Sequence, residues 1–217
     1  MTGIDFQPYI EIARERSLAD PAHDFLHVLR VAENARTILT EVAADVDIVM
    51  ASVYLHELFN YPKGHPKSRE SGDVCAEHAL VVMEQLDFPE EKREAVAYAI
   101  ANHSFSKGVV PSTMEGKVLQ DADRLDAIGA IGMARLFSTC ASMERPFYHE
   151  ADPFCEAREP NDKAYGLDHV YVKLLRIPDT LHTDIARFLA SRRMEWIRAY
   201  LREMAVELGK PATHTNA

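Results

Sequence analysis

IVMASVYLHELF, residues 48–59, decides the fold. The segment is apolar nearly all round and carries one His–Glu pair near its end. A helix without a polar face has no surface to offer water, so it belongs at the centre of a bundle. Asp45 or Asp47 supplies its starting cap, and the helix is expected to run through Leu58. His56 falls on the stripe of Val49, Ser52 and Val53, where an apolar residue is expected.

Outward from this helix the pattern stays helical. Residues 4–16 read as a short amphipathic helix. Asp24 caps a longer one to about residue 42, with Val28, Val31, Ala35 and Ile38 on one face and His27 on the same stripe. After the central helix, NYPKGHPKSRESG at 60–72 holds two prolines and two glycines and reads as a loop. Helices are expected over 73–86 and, opened by Pro89, to about residue 103. SFSKGVVPST at 104–113 is a second loop. Residues 115–130 read as helical, followed by a helix of small residues to about 142. Residues 145–162 are rich in Pro, Asp and Glu and read as an ordered surface excursion or lid. A short helix over 168–175 and a long one from Pro178 and Asp179 to about 208 complete the chain. No strand-like alternation or internal repeat is visible, so the expected fold is an all-α bundle.

Composition narrows the function. Of 217 residues, 47% are hydrophobic and 27% charged, which suits a packed soluble domain. The formal net charge of -10 disfavours a nucleic-acid polymer as partner. A small phosphorylated ligand stays compatible, because a bound cation inverts the local field. No basic-then-apolar leader and no apolar run of ~20 residues is present, which points away from a membrane role. Cys75, Cys140 and Cys155 are widely spaced and odd in number, as expected of reduced thiols in a cytoplasmic protein.

Chemistry is concentrated at His27, His56 and Asp123, the last on the stripe of Leu119, Ala127 and Ala130. A carboxylate buried alone is costly, so it is paired or bound to metal. Imidazole with carboxylate suits Mn²⁺, Fe²⁺, Zn²⁺ or Mg²⁺. Each position also has a plain structural reading: a hydrogen-bonded core histidine, or an aspartate paired with arginine. Spacing alone leaves both open.

The local sequences go further. HDFLHVLRVAENA at 23–35, ASVYLHELFNYPKGHPKSRESG at 51–72, ANHSFS at 101–106, LQDADRLDAIGAIGMAR at 119–135 and DHVYVKLLRIPDTLHTDIARFLASRR at 168–193 resemble the HD-domain superfamily of metal-dependent phosphohydrolases. The subgroup resembled is that of bacterial nucleotide pyrophosphohydrolases and uncharacterised HD proteins, over roughly residues 20–205. The resemblance implies a helical HD domain over 20–142 and a C-terminal helical extension over 143–208.

It also implies the ligands. The family's first histidine precedes an Arg–Val pair, here Arg30–Val31, which selects His27 rather than the literal His23–Asp24 pair. The HD dipeptide falls on His56–Glu57, with Glu where the family carries Asp. The last ligand precedes a DxL step and falls on Asp123. Asp121 is the alternative ligand, since its own stripe includes Val118, Leu125 and Ile128. Asn60 stands where HD enzymes that cleave guanosine tetraphosphate carry an acid, which disfavours that mechanism. Beside a metal, the basic loop Lys63, His65, Lys67 and Arg69 reads as a polyphosphate clamp, with Arg30 assisting. Its plain alternative is a solvated loop. His103 is expected to face the substrate as proton donor, and His78 with His103 forms the candidate second metal site. GAIG at 129–132 lacks the strand–turn–helix setting of a phosphate loop and reads as a close-packing step.

The expected cofactor is therefore a divalent metal ion, Mn²⁺ first, with Mg²⁺, Fe²⁺, Zn²⁺ or Co²⁺ as alternatives. The expected reaction is hydrolysis of a nucleoside triphosphate, ribo or deoxy, to monophosphate plus pyrophosphate. The alternatives are a nucleoside monophosphate phosphatase and a catalytically weakened nucleotide sensor, the latter because of Glu57. A homodimer is left open.

Overall fold

The computed structural model describes residues 3–16, 24–62 and 65–210. These fold into α-helices with short 3₁₀ turns and no strand among the described residues. The chain divides into two compact units, residues 1–124 and 125–217. None of the described helices is long and apolar enough to cross a membrane.

The first unit is built around the helix expected to be central. α1 (Gln7–Arg16), α2 (Phe25–Leu39), α3 (Val46–Leu55), α4 (Ser71–Gln85), α5 (Glu90–Asn102) and the body of α6 (Met114–Asp126) form it. α3 packs against α1, α2 and α5, and every residue from Val49 to Leu55 is buried. Asp24 and Asp45 both act as N-caps: Asp24 Oδ1 accepts from the His27 amide, and Asp45 Oδ1 from the Asp47 and Ile48 amides.

α3 stops three residues short of the expected Leu58, with His56 at its C-cap. The buried Cys75 thiol of α4 donates to the carbonyls of Leu55 and His56 at 3.3 and 3.2 Å. Burial pushes that thiol up to about 12, so it stays protonated and able to donate. The end of the helix is thus pinned to α4 and the chain turns there. Two further buried contacts fix α6 to its neighbours. Asn34 Nδ2 of α2 donates to the Ala122 carbonyl at 2.9 Å. Gln120 Nε2 donates to the carbonyls of Asn102 and Val109 at 3.0 and 2.9 Å.

The second unit holds α7 (Gly129–Ser142), α8 (Asp168–Val172) and α9 (Asp184–Glu207). α6 and α7 are two helices where residues 115–130 were expected to be one. Gly129 adopts φ +81°, a left-handed conformation that breaks the helix and favours glycine. Gly132 is tighter still: a Cβ there would stand 2.2 Å from the Ala127 carbonyl oxygen. The GAIG step therefore needs small residues where the backbone closely approaches itself. Because a backbone carbonyl cannot yield, Gly132→Ala is expected to cost about 1–3 kcal/mol in chemical denaturation.

The last long helix starts at Asp184, not near residue 178. Pro178–Thr180 makes only one 3₁₀ turn, Leu181 is extended, and Thr183 Oγ1 caps the helix by accepting from the Ala186 amide. Residues 145–162 form the expected helix-free excursion. It is anchored by Asp168, which accepts two bonds from the Arg158 guanidinium at 2.6 and 2.7 Å and one from the Asn161 amide at 2.6 Å. His169 pairs with Asp162 at 2.9 Å.

Candidate metal centre

The end of α3 meets α2 in a buried cluster, which the half-buried Asp123 of α6 borders. His27, in the first turn of α2, projects into it and is 0% exposed, as is His56 at the α3 cap. The two Nε2 atoms stand 3.3 Å apart. Glu57 Oε1 lies 3.7 Å from His27 Nε2 and 3.9 Å from His56 Nε2. Asp123 Oδ1, from α6, lies 3.5 Å from His27 Nε2. Ligand atoms of His27, His56 and Glu57 all fall within 4.8 Å of one another, so the three can hold one divalent ion.

Hydrogen bonding fixes how these groups face. His56 Nδ1 is 2.7 Å from the Val53 carbonyl, which can only accept. Nδ1 therefore carries the proton and Nε2 turns a lone pair into the cluster. Asn60 Nδ2 donates to Glu57 Oε2 at 2.8 Å, which leaves Oε1 facing the histidines. Burial, opposed by the Glu57 charge and reinforced by His103 and His27, pushes the His56 imidazole down to about 4. A neutral imidazole with a carboxylate beside it is the form a cation needs.

The spacing fits an ion. Two ligand atoms about 2.1 Å from one metal stand about 3.0 Å apart at right angles and about 3.4 Å apart at the tetrahedral angle. The 3.3 and 3.5 Å separations fall in or beside that range, and those to Glu57 are a few tenths longer. Buried polar groups facing one another in this way are costly without a charge between them.

In the metal-free protein the depressed His56 value has a consequence for stability. The unfolded imidazole titrates near 6.5 and the folded one near 4, so the unfolded chain binds more protons between those values. Stability is complete above the unfolded value and falls as pH drops towards 4. Urea unfolding of metal-free protein is expected to lose about 2–3 kcal/mol between pH 7 and 4.5 from this group. His56→Gln flattens that dependence.

Comparison with known proteins agrees with the geometry. The HD domain family model matches residues 24–128. The curated protein YpgQ of Bacillus subtilis is 32% identical over 193 residues, covering 86% of this chain and 84% of its own. The chain belongs to the HD-domain family. The crystal structure of Bacillus subtilis YpgQ in complex with ADP superimposes with a TM-score of 0.71 at 30% identity, covering 92% of this chain and 97% of that one. An HD-superfamily hydrolase from Bacillus thuringiensis gives a TM-score of 0.72 at 26% identity, covering 95% and 97%.

Within this HD domain the structure sorts the expected residues. It brings His27, His56 and Glu57 together, sets Asp123 against His27, and sets the His103 ring 5.2 Å from that of His56. His103 Nδ1 lies 2.6 Å from the Ile100 carbonyl, so in the neutral ring Nε2 is the acceptor. Asp121, the alternative ligand, is wholly buried on the same helix, and its charge bears on Arg124. His78 is exposed and stacks on Phe59, and joins no ligand cluster with His103 among the described residues. Lys67 and Arg69 are exposed, with Lys67 Nζ 3.9 Å from Glu70. Arg30 is half-buried on α2, and Lys63 lies outside the described residues. Sequence reasoning missed the bond from Asn60 to Glu57. Its signal was the three-residue spacing from a carboxylate at a helix end. It also missed the seat of Arg124, whose guanidinium lies 5.5 Å over the Phe105 ring.

Proposed function

We propose that this HD protein is a metal-dependent phosphohydrolase acting on nucleotides, cleaving nucleoside triphosphates to monophosphate and pyrophosphate. The observation that carries the reading is the convergence of His27 and His56 Nε2 and Glu57 Oε1 in one buried cluster, with Asp123 Oδ1 3.5 Å from His27 Nε2 at its edge. We assign these four as ligands of one divalent ion, Mn²⁺ first. The ion held there supplies Lewis acidity toward a phosphoryl oxygen and the attacking water. Binding of ADP by a relative of known structure supports a nucleotide as the ligand class.

The residues of this chain then divide the work. Water adds to the α-phosphorus, the bond from that phosphorus to the α,β-bridging oxygen breaks, and pyrophosphate leaves with the electron pair. His103 Nε2, with Nδ1 committed to the Ile100 carbonyl, is the proton-transferring group: it takes up the proton released by the attacking water and donates it to the departing oxygen. Lys67 and Arg69, both exposed, are assigned with Lys63 to gather the departing phosphates, and Arg30 contributes from α2. Asn60 carries no acid at its position, which sets this site apart from a guanosine tetraphosphate hydrolase.

The test is incubation of Mn²⁺-loaded protein with mixed nucleoside and deoxynucleoside triphosphates, followed by mass-spectrometric product identification. Monophosphate and pyrophosphate in equal amounts are expected. Orthophosphate released from monophosphates would favour the phosphatase reading instead. Nucleotide binding with no turnover would reduce the protein to a sensor.

A further inference from the structure

Glu57 is one methylene longer than the aspartate usual at its place, and an unrestrained glutamate has an extra rotatable bond to lose on binding an ion. The structure supplies a restraint. Asn60 Nδ2 donates to Glu57 Oε2 at 2.8 Å, while Oε1 lies 3.7 and 3.9 Å from the Nε2 atoms of His27 and His56. The two carboxylate oxygens are thereby divided, one held by the amide and one turned to the cluster. Glu57 is almost buried and Asn60 half-buried, so water competes little for the bond.

The chemistry of the partner matters as much as its position. An amide donates without charge, so it orients the carboxylate and leaves its full negative charge for a cation. A lysine or arginine there would neutralise that charge, and an acid would repel it. Asn60 reaches Glu57 over three residues across the turn that leaves α3, a turn held by the Cys75 thiol at its start and by the Ser71 hydroxyl accepting from the Tyr61 amide at 3.2 Å.

We propose that Asn60 is the positioning residue of the metal centre, fixing Glu57 as a one-oxygen ligand so that glutamate can serve where aspartate is customary. The inference rests on the metal-centre reading above. Outer partners of metal ligands typically contribute about 10–100-fold in affinity. Asn60→Ala and the isosteric Asn60→Asp, which removes the donor without changing volume, are both expected to weaken Mn²⁺ binding by that factor.

The test is titration of metal-free protein with Mn²⁺, read by electron paramagnetic resonance of the free ion, in the wild type and in both Asn60 variants. The same titration is repeated for Glu57→Ala with and without Asn60→Ala. The melting temperature of each metal-free protein serves as the fold control. With no carboxylate to position, Asn60→Ala is expected to change affinity less than about twofold in the Glu57→Ala background. Equal weakening in both backgrounds, or wild-type affinity in Asn60→Asp, overturns the positioning role. Failure of the wild-type protein to bind Mn²⁺ overturns the metal centre itself and is seen before any variant is compared.

Discussion

His56→Ala is expected to lower Mn²⁺ affinity by at least about 100-fold and to reduce nucleotide hydrolysis to background. The factor is a lower bound, because losses of 10–100-fold already follow from changing groups that merely orient ligands. His56 is the cluster's most constrained member: wholly buried, with Nδ1 committed to Val53 and Nε2 at 3.3 Å from His27 Nε2. No other described side chain on α3 or its following turn supplies a nitrogen at that point. The effect also appears without any activity measurement. An ion present at 100 times its dissociation constant stabilises the native state by about 2.7 kcal/mol, and that increment disappears in the variant. His56→Gln separates the lost ligand from the lost volume, since it fills more of the site and still contributes no imidazole.

Arg158→Ala is the largest stability effect expected away from the metal centre. Asp168 is 0% exposed and receives both arms of the Arg158 guanidinium. Burial drives its carboxyl upward, yet the bonds from Arg158, the Asn161 amide and the Cys155 thiol together hold it below the usual range. Removing the arginine leaves a buried charge without its main partner, at a cost of about 3–5 kcal/mol. The cost is greatest at pH 8, where the carboxyl is ionised. It shrinks at pH 5, because the stranded carboxyl now takes up a proton. Chemical denaturation at the two pH values checks this, and Arg158→Ala with Asp168→Asn recovers most of the loss if the buried charge is its cause. The same contacts give Asp168 a structural role, tying residues 145–162 to the start of α8.

What the sequence disclosed and what it withheld have separate physical causes. The burial of α3 followed from its apolar periphery, and Asp24 and Asp45 announced their helix starts through cap chemistry that depends only on neighbouring residues. Helix ends were less visible. α3 stops at Leu55 because of a thiol twenty residues further on, and no local pattern signals that contact. The break after Asp126 depends on Gly129 in a left-handed conformation, which a small residue permits but does not announce. The start of α9 was misplaced because Pro178 fits a first helical turn equally well in a 3₁₀ segment that goes no further.

The candidate site divides in the same way. His27, His56 and Asp123 stood out as polar residues on apolar stripes, and motif resemblance put Glu57 among them. Their convergence required α2, α3 and α6 to be locked at particular heights by Asn34, Cys75 and Gln120, long-range contacts with no local signature. Asn60 was read only as an absent acid. Its three-residue spacing from Glu57 permits the amide bond, but only the turn geometry shows that the bond forms.

The most direct test of the metal centre is calorimetric titration of Mn²⁺ into the metal-free chain, carried out for the wild type, Asp123→Asn and His27→Ala. The cluster geometry predicts one ion per chain in the wild type and at least about tenfold weaker binding in each variant. A wild-type chain that binds no ion, or variants that bind with wild-type affinity, would contradict it.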